Sequence, residues 1–270
     1  MGLSSSSIHA AAEILRKGRM RPATPIGHLP ETCRPQDVCG AMAIQERLHE
    51  LLEQDGLGFV VGTKIGCTTK VMQEYVGMDH PCLGAIFEST IFRREAELDF
   101  DSYLHVGVEC EIAATLSSEI RPENAPYSIK SITDSVESLH TAIEIVDDRY
   151  SDFMKRVPDG NTWIADDFFG AGAVLGEPVT SWKELDLATV QGKMRIDGEE
   201  VGVGYGRDII NGHPLEALVW LANYQAERNR NISKGWVVLL GSVVQTNWVS
   251  KGSTVTVEID GLGRAEATFE

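Results

Sequence analysis

The chain has 270 residues, 43% of them hydrophobic, and its 24 Lys and Arg against 40 Asp and Glu give a formal net charge of −16 at pH 7. This composition allows one large hydrophobic core, and the negative charge disfavours nucleic acid as a partner. The five cysteines are odd in number and none is spaced as CxxC, which disfavours a disulfide framework and a zinc knuckle and favours a reducing compartment.

Residues 1–56 are predicted to form an N-terminal helical segment with a Pro-rich loop. One apolar stripe runs through residues 8–17, and Gly18 follows the basic end of that helix. Four prolines in a short span predict an extended loop: Pro22, Pro25, Pro30 and Pro35. From Val38 onward the 3.6-residue period predicts a second helix that ends by Gly56, with Pro35 in its first turn.

Residues 57–270 alternate strand patterns with a few helices. Helices are predicted at residues 68–77, where Thr68 would be the cap, at 128–138 and at 214–228. Strands are predicted at residues 58–65, 84–87, 106–116, 139–150, 189–196, 199–204, 236–240, 254–259 and 264–269. Strands dominate and parallel βαβ spacing is absent, so a mixed, mostly antiparallel α+β fold is favoured.

The strand Val106–Leu116 carries two acids on one face. Its alternation places Glu109 and Glu111 side by side, with valine, cysteine and isoleucine on the opposite face. Strands disfavour glutamate and like charges repel, so the pair makes sense if a positive group lies above it. A hard divalent cation such as Mg²⁺ or Mn²⁺ fits oxygen ligands of this kind. The alternative is a solvated strand face with two surface acids.

Glu144 supports the metal interpretation. It lies in the apolar run of Ala142, Ile143, Ile145 and Val146, which is typical of a strand in the core. A buried carboxylate costs several kcal/mol unless it is paired or binds a metal. Glu144 is therefore the natural third ligand.

Several motifs, in order from about residue 40 to the end, resemble the 2-keto-4-pentenoate hydratase / 4-oxalocrotonate decarboxylase group of the fumarylacetoacetate hydrolase superfamily. They are Lys64-Ile-Gly-Cys-Thr-Thr, Gly107-Val-Glu-Cys-Glu-Ile-Ala, Ala142-Ile-Glu-Ile-Val-Asp-Asp-Arg, Ile164-Ala-Asp-Asp, His213-Pro-Leu-Glu-Ala-Leu-Val-Trp-Leu-Ala, Val237-Val-Leu-Leu-Gly-Ser and Asp260-Gly-Leu-Gly. The resemblance implies a β-rich mixed roll of the family's C-terminal-domain type over residues 57–270, with residues 1–56 packed on it. It also implies Mg²⁺ or Mn²⁺ held by Glu109, Glu111 and Glu144.

The activity implied is that of a metal-dependent lyase. Three carboxylates on an octahedral ion leave positions for the carboxylate and C2 oxygen of a small 2-oxo or 2-hydroxydienoic acid. The favoured interpretation is a hydratase in aromatic catabolism. The alternatives are a decarboxylase, a C–C hydrolase of acylpyruvate type and a non-enzymatic acid-binding scaffold. No membrane span or signal peptide is recognisable, so we expect a cytoplasmic protein without a membrane partner, and the family implies a homo-oligomer.

Lys64 and Asp166 are candidates for the remaining catalytic groups. Lys64 interrupts an apolar strand-like run and could hydrogen-bond the substrate carboxylate, or shuttle a proton after burial lowers its pKa. It could instead lay its stem along apolar surface with the amine in water. Asp166 matches an acid of the family pattern and could orient Lys64 or a bound water, or could merely cap a turn.

Two departures from the family pattern concern the substrate pocket. Hydratases of the family tend to carry an Asp where this chain has Cys82, so the proposed acid/base is missing unless Asp79 or His80 replaces it. Phe168 and Phe169 replace a more polar stretch, which predicts an apolar pocket wall and a larger substrate tail. Cys82, Phe168 and Phe169 are thus candidate substrate-binding residues.

A further candidate pair lies in the Pro-rich loop. His28 and Glu31 are spaced i, i+3. Other branches of the superfamily use a His/Glu pair on a mobile lid to activate water, although this position matches no family motif. His28 and Glu31 are therefore catalytic candidates of a different kind.

Overall fold

The computed structural model describes residues 2–20 and 24–270, so Pro22 of the predicted loop lies outside the described residues. The α-helices are α1 (Ser5–Arg19), α2 (Val38–Leu52), α3 (Lys70–Val76), α4 (Ile129–Ile132), α5 (Gly160–Ala165) and α6 (Pro214–Glu227). The strands are β1 (Val60–Gly66), β2 (Cys82–Phe87), β3 (Ile91–Arg93), β4 (Glu95–Leu98), β5 (Val106–Leu116), β6 (Val136–Asp147), β7 (Gly170–Leu175), β8 (Gln191–Ile196), β9 (Glu199–Tyr205), β10 (Val237–Trp248), β11 (Thr254–Ile259) and β12 (Gly263–Phe269).

The strands form two mixed sheets. The larger has the order β2-β1-β10-β5-β6-β7-β3, and the smaller has the order β4-β12-β11-β8-β9. The pairs β1/β10, β3/β7 and β4/β12 are parallel, and the other pairs are antiparallel. One apolar cluster with residues from both sheets fills the space between them. The predicted α+β fold with an N-terminal helical part is confirmed.

The first two helices have the caps that their sequences allow. The Ser4 hydroxyl accepts from Ser7 N at the start of α1, and the Asp37 carboxylate accepts from Gly40 N at the start of α2. Helix α1 therefore begins before residue 8 and includes Gly18, and Pro35 precedes the second helix instead of lying in its first turn. The prediction of both helices is otherwise confirmed.

Two of the predicted helices have different bounds in the structure. The helix predicted at 128–138 is only α4 and one 3₁₀ turn, because the backbone becomes extended at Val136 and continues as β6. Strand β6 accordingly begins before and ends before the predicted 139–150. Thr69, not Thr68, caps α3 by accepting from Met72 N.

The N-terminal helices pack on one end of the large sheet. A second apolar cluster joins α1 and α2 to Cys67, Cys82, Trp163 and Phe168. Inside it the Gln45 amide donates to the carbonyls of Leu83 (2.9 Å) and Ile164 (2.7 Å), so α2 is tied to β2 and α5 by buried hydrogen bonds. The division at residues 56 and 57 stays a prediction.

The helices give no sign of a membrane span. Among the described residues, none of them is both long and apolar enough to cross a bilayer.

Candidate metal centre

Strands β5 and β6 bring three acids together in the middle of the large sheet. The antiparallel register places Glu109 directly opposite Glu144, and Glu111 follows two residues along the same face. One carboxylate oxygen from each residue lies within 4.8 Å of the other two. Glu111 and Glu144 are each 1% exposed, whereas Glu109 is half-buried. The alternation of the sequence therefore placed these acids on the correct face.

Strand β10 supplies hydrogen bonds to two of the acids. Gly241 N donates to Glu111 Oε2 at 2.9 Å, and the Thr246 hydroxyl donates to Glu109 Oε1. Gly241 has a φ of +111°, and a Cβ there would lie 2.6 Å from Thr68 Oγ1. Only glycine fits this conformation and this space, and the resulting irregularity in β10 aims the amide at Glu111.

Lys64 enters the site from β1. Its side chain is buried, and Nζ lies 2.9 Å from Glu144 Oε1. Burial acts to lower the lysine pKa, but the charges of Glu144, Glu109 and Glu111 outweigh it, so the pKa of Lys64 is raised above its ordinary value. The prediction that the pKa of Lys64 falls is wrong in the arrangement seen here, because three neighbouring carboxylates stabilise the ammonium.

The acids carry more negative charge than the protein compensates. Apart from the ion pair with Lys64, neither oxygen of Glu144 accepts a hydrogen bond from the described residues. Burial and the charge of Glu144 raise the pKa of Glu109 to about 7, and burial and both other acids raise the pKa of Glu111 well above its ordinary value. A buried carboxylate that hydrogen bonds leave unsatisfied, in an all-oxygen donor set, fits a hard divalent cation.

Asp166 lies elsewhere than predicted. Its carboxylate accepts from Arg19 Nε at 2.9 Å and from Arg149 Nε at 3.0 Å, and it is fully buried. It therefore bridges the end of α1 to the residues that follow β6. Among the described contacts it forms no hydrogen bond or ion pair with Lys64, so the structure does not support the prediction that it orients Lys64. Its two guanidinium partners satisfy it, which leaves Lys64 to the three glutamates.

Asp167 is the more constrained member of the acid pair. One carboxylate oxygen lies 2.6 Å from His49 Nε2 and accepts from Ala85 N at 3.0 Å, and the other accepts from Arg19 Nη2 at 3.0 Å. Burial acts to raise its pKa, but His49, Arg19 and these hydrogen bonds outweigh it and hold the pKa of Asp167 well below its ordinary value. The acid is thus ionised and anchors α1, α2 and β2 together.

Three consecutive residues after Asp166 adopt left-handed backbone conformations. The φ angles are 56° at Asp167, 45° at Phe168 and 67° at Phe169. Non-glycine residues rarely adopt this region, and each instance costs of order 1–3 kcal/mol that the surroundings must offset. The buried hydrogen bonds of Asp167 supply that support, so its contacts determine where the two rings lie.

The rings of Phe168 and Phe169 lie in different surroundings. The Phe168 ring centroid lies 5.3 Å from Lys64 Nζ, and a Cβ on Gly66 would lie 2.8 Å from its ring. Phe169 instead packs edge-on against Tyr150 and Phe153, with centroid distances of 4.8 Å and 5.1 Å. Phe168 is therefore beside the metal centre, whereas Phe169 belongs to an aromatic cluster.

The remaining candidates lie away from the acids. Cys82 is buried and its thiol contacts Met78, while the Asp79 side chain is almost fully exposed. His28 lies 4.0 Å from Asp159, and Glu31 is exposed in a turn. Among the described contacts, neither His28 nor Glu31 forms a hydrogen bond or ion pair with the three glutamates.

Sequence reasoning missed several supporting residues. They are Arg19, His49, Arg149, Thr246 and Gly241. The one available signal was the pair of adjacent acids at 166 and 167, which follows apolar residues and needs cationic partners if buried.

The family comparison covers most of the chain. The model for fumarylacetoacetate (FAA) hydrolase C-terminal domains matches residues 75–270. A 2-keto-4-pentenoate hydratase of Burkholderia vietnamiensis is 32% identical over 264 residues, which is 98% of this chain and 98% of that protein. A 4-oxalocrotonate decarboxylase of Pseudomonas putida is 27% identical over 229 residues, which is 85% of this chain and 84% of that protein.

Solved structures agree on the fold. The 4-oxalocrotonate decarboxylase from Pseudomonas putida G7, complexed with magnesium and adipate, matches with a TM-score of 0.90 and 24% identity over 99% of each chain. A fumarylpyruvate hydrolase from Pseudomonas aeruginosa, in complex with Mn²⁺ and pyruvate, matches with a TM-score of 0.59 and 14% identity over 77% of this chain and 88% of that one. The predicted fold type is confirmed.

Replacing Glu111 with glutamine should remove divalent cation binding. Glu111→Gln keeps the shape of the side chain but deletes one of three anionic ligands, and calorimetric titration with Mg²⁺ and Mn²⁺ should then give no binding heat. Glu258→Gln, on an exposed strand position, is the matched control and should bind as the parent does. Parent-like affinity in Glu111→Gln would remove this site from consideration.

Replacing Asp167 with asparagine should destabilise the protein. Asp167→Asn keeps the volume but removes a buried charge, so the free energy of unfolding should fall by about 3 kcal/mol at pH 7. Asp152→Asn, whose partly exposed acid pairs with Lys155, should change it much less.

The pH dependence of that difference follows from the lowered pKa of Asp167. The contribution is fully present above the ordinary aspartate value near pH 4 and is lost as the pH falls below it towards the folded-state pKa. Denaturant unfolding of parent and variant at several pH values measures this. A difference that stayed constant down to pH 2 would contradict the assignment.

Proposed function

Because the chain belongs to the fumarylacetoacetate hydrolase family, we propose that it is a divalent-metal-dependent hydratase, a lyase that adds water to a 2-hydroxy-2,4-dienoate or 2-oxo-alkenoate. The observation that carries the proposal is the full-length likeness to 2-keto-4-pentenoate hydratases in a chain whose three clustered glutamates meet one buried lysine. We expect it to act on a small acid of aromatic catabolism in the cytoplasm, as a homo-oligomer.

In this proposal Glu109, Glu111 and Glu144 hold Mg²⁺ or Mn²⁺. When bound, such a cation supplies a Lewis acid for the carboxylate and C2 oxygen of a 2-oxo acid. The hydrogen bonds from Gly241 N and Thr246 orient two of the three carboxylates, so little rearrangement of the protein is needed to form the site.

Lys64 is proposed to bind the substrate carboxylate. Its raised pKa keeps the amine protonated, so the group acts as a fixed positive charge beside the acids. With a cation bound, the negative charge of Glu144 would be shared between the cation and Lys64. The ammonium could then also donate a hydrogen bond to the substrate.

Phe168 is proposed as the apolar wall of the pocket. Its ring lies over Lys64, so it shields the ammonium from water and strengthens its interaction with an anion. Phe169 lies in the aromatic cluster and is proposed to hold Phe168 in place. An apolar wall favours a substrate with an extended or aryl tail over the short pentadienoate.

Decarboxylation is the second candidate. Cys82, at the position of the expected acid/base, is a buried thiol, and the nearby Asp79 is exposed to solvent. Loss of CO₂ from a vinylogous keto acid needs the same electrophilic site but no group to activate water. The relatives named 4-oxalocrotonate decarboxylase favour this as the alternative, ahead of C–C hydrolysis of an acylpyruvate.

Product analysis distinguishes these reactions. The chain should be incubated with 2-hydroxydienoates of increasing tail length, with a vinylogous keto diacid and with an acylpyruvate, each with Mg²⁺, Mn²⁺ or a chelator. A product heavier by one water, formed only with metal, is expected. Release of CO₂ would assign decarboxylation, two carbon fragments would assign C–C hydrolysis, and no turnover of any acid would contradict the proposal.

Replacing Lys64 with methionine should weaken substrate recognition. Lys64→Met keeps the stem volume and deletes the charge, so kcat/KM should fall by about 10²-fold or more, or about 2.7 kcal/mol of transition-state binding. Thermal unfolding in saturating Mg²⁺ should show a folded variant, because the cation compensates the acids. Lys251→Met, whose amine is exposed, should keep the parent rate, and a parent rate in Lys64→Met would place Lys64 outside the reaction.

A further inference from the structure

Three sulfur atoms meet at the end of the β1/β2 pair. The Cys82 thiol lies 3.1 Å from Met78 Sδ, and the neighbouring Cys67 thiol raises the pKa of Cys82. Cys67 and Cys82 are both free cysteines and both are buried. The proposed hydratase reaction uses none of these sulfur atoms, so their convergence has no explanation in that function.

The backbone explains why they converge. Gly66 pairs with Cys82 across the two strands, so Cys67 is the first residue past the end of the ladder. Neighbouring side chains of a regular strand face opposite ways, but the φ of +55° at Cys67 breaks that alternation. The Gln73 amide holds this conformation by donating to the Cys67 carbonyl at 2.9 Å. Met78 comes from the turn after α3.

The donor set is chemically soft. Thiolate and thioether sulfur select Cu(I) over hard cations such as Mg²⁺, which prefer oxygen. The pKa of the Cys82 thiol is well above its ordinary value because of the neighbouring Cys67 thiol and burial, and the Lys64 ammonium acts in the opposite direction. Coordination deprotonates thiols outright, and two thiolates with one Cu(I) leave a single negative charge, which interacts favourably with the Lys64 ammonium.

One of the three residues, Met78, lies at an open cleft. A cavity of about 650 Å³ between the Pro-rich loop, α3 and the start of α5 is lined by Met78, together with Asp79 and His80. Metal–sulfur bonds of about 2.3 Å in trigonal geometry need the sulfurs about 4 Å apart. The Met78 thioether must therefore retract by about 1 Å, which its unbranched, partly exposed side chain allows.

We propose that Cys67, Cys82 and Met78 form a binding site for a soft monovalent cation, Cu(I), separate from the hard-cation site of the three glutamates. Because the Lys64 charge acts on Cys82, occupation of the sulfur site places a new charge within electrostatic reach of the substrate-binding lysine. Cu(I) should therefore inhibit turnover without displacing Mg²⁺.

Competition with a chromogenic Cu(I) chelator under anaerobic, reducing conditions tests the proposal. The parent should carry Cys39→Ser, because Cys39 is an exposed thiol. It should bind one Cu(I) per chain, and Cys67→Ser or Cys82→Ser should weaken binding by 100-fold or more. Met78→Leu should weaken it by about tenfold. Cys33→Ala, which removes a buried thiol outside the cluster, should bind as the parent does.

The glutamate site provides the cross-control. Glu111→Gln should bind Cu(I) with parent affinity even though it no longer binds Mg²⁺, so this result does not depend on the proposed reaction. Parent affinity in folded Cys67→Ser and Cys82→Ser, or loss of Cu(I) binding in Glu111→Gln, would overturn the proposal.

A second measurement covers the case in which a cysteine variant does not fold. X-ray absorption of Cu(I) bound to the parent should show a shell of sulfur alone at about 2.3 Å. A shell that contains oxygen or nitrogen would overturn the assignment.

Discussion

The rest of this structure depends on a cluster of three carboxylates that meets one buried lysine. Glu109, Glu111 and Glu144 carry three negative charges when ionised, and Lys64 contributes one positive charge. The remaining excess of two is what a single divalent cation neutralises. Without it, burial holds protons on the acids, as the raised pKa values of Glu109 and Glu111 show. The same imbalance makes the site attractive to a hard cation and keeps Lys64 charged.

A second group of charged residues, Asp166 and Asp167 with their cationic partners, fixes the wall of this site. Asp166 and Asp167 are buried by pairing with Arg19, Arg149 and His49, so the N-terminal helices are bound to the segment that precedes β7. That segment takes three left-handed residues in succession, which an unsupported chain would not keep. The outcome is a Phe168 ring fixed beside Lys64. The N-terminal part thus contributes to the pocket wall through charge pairs made far from the cation.

Periodic features of the fold were predictable from the sequence. Alternation in β5 gave the face of Glu109 and Glu111, and the apolar surroundings of Glu144 indicated a buried acid, because both signals are local. The partners of Asp166 were not predictable, since Arg19 is 147 residues away and the contact exists only after folding. The start of β6 at Val136 was missed because a short capped turn at Ser128 looks like the beginning of a longer helix. The pKa direction of Lys64 required knowing which acids surround it.

Anomalous scattering from a crystal of this protein grown with Mn²⁺ and a 2-oxo acid would locate the cation and the substrate carboxylate together. One manganese peak is expected within about 2.2 Å of an oxygen from each of Glu109, Glu111 and Glu144. The acid's carboxylate is expected within hydrogen-bond distance of Lys64 Nζ. A fully occupied manganese peak at any other residues, with Lys64 still paired to Glu144, would contradict both expectations.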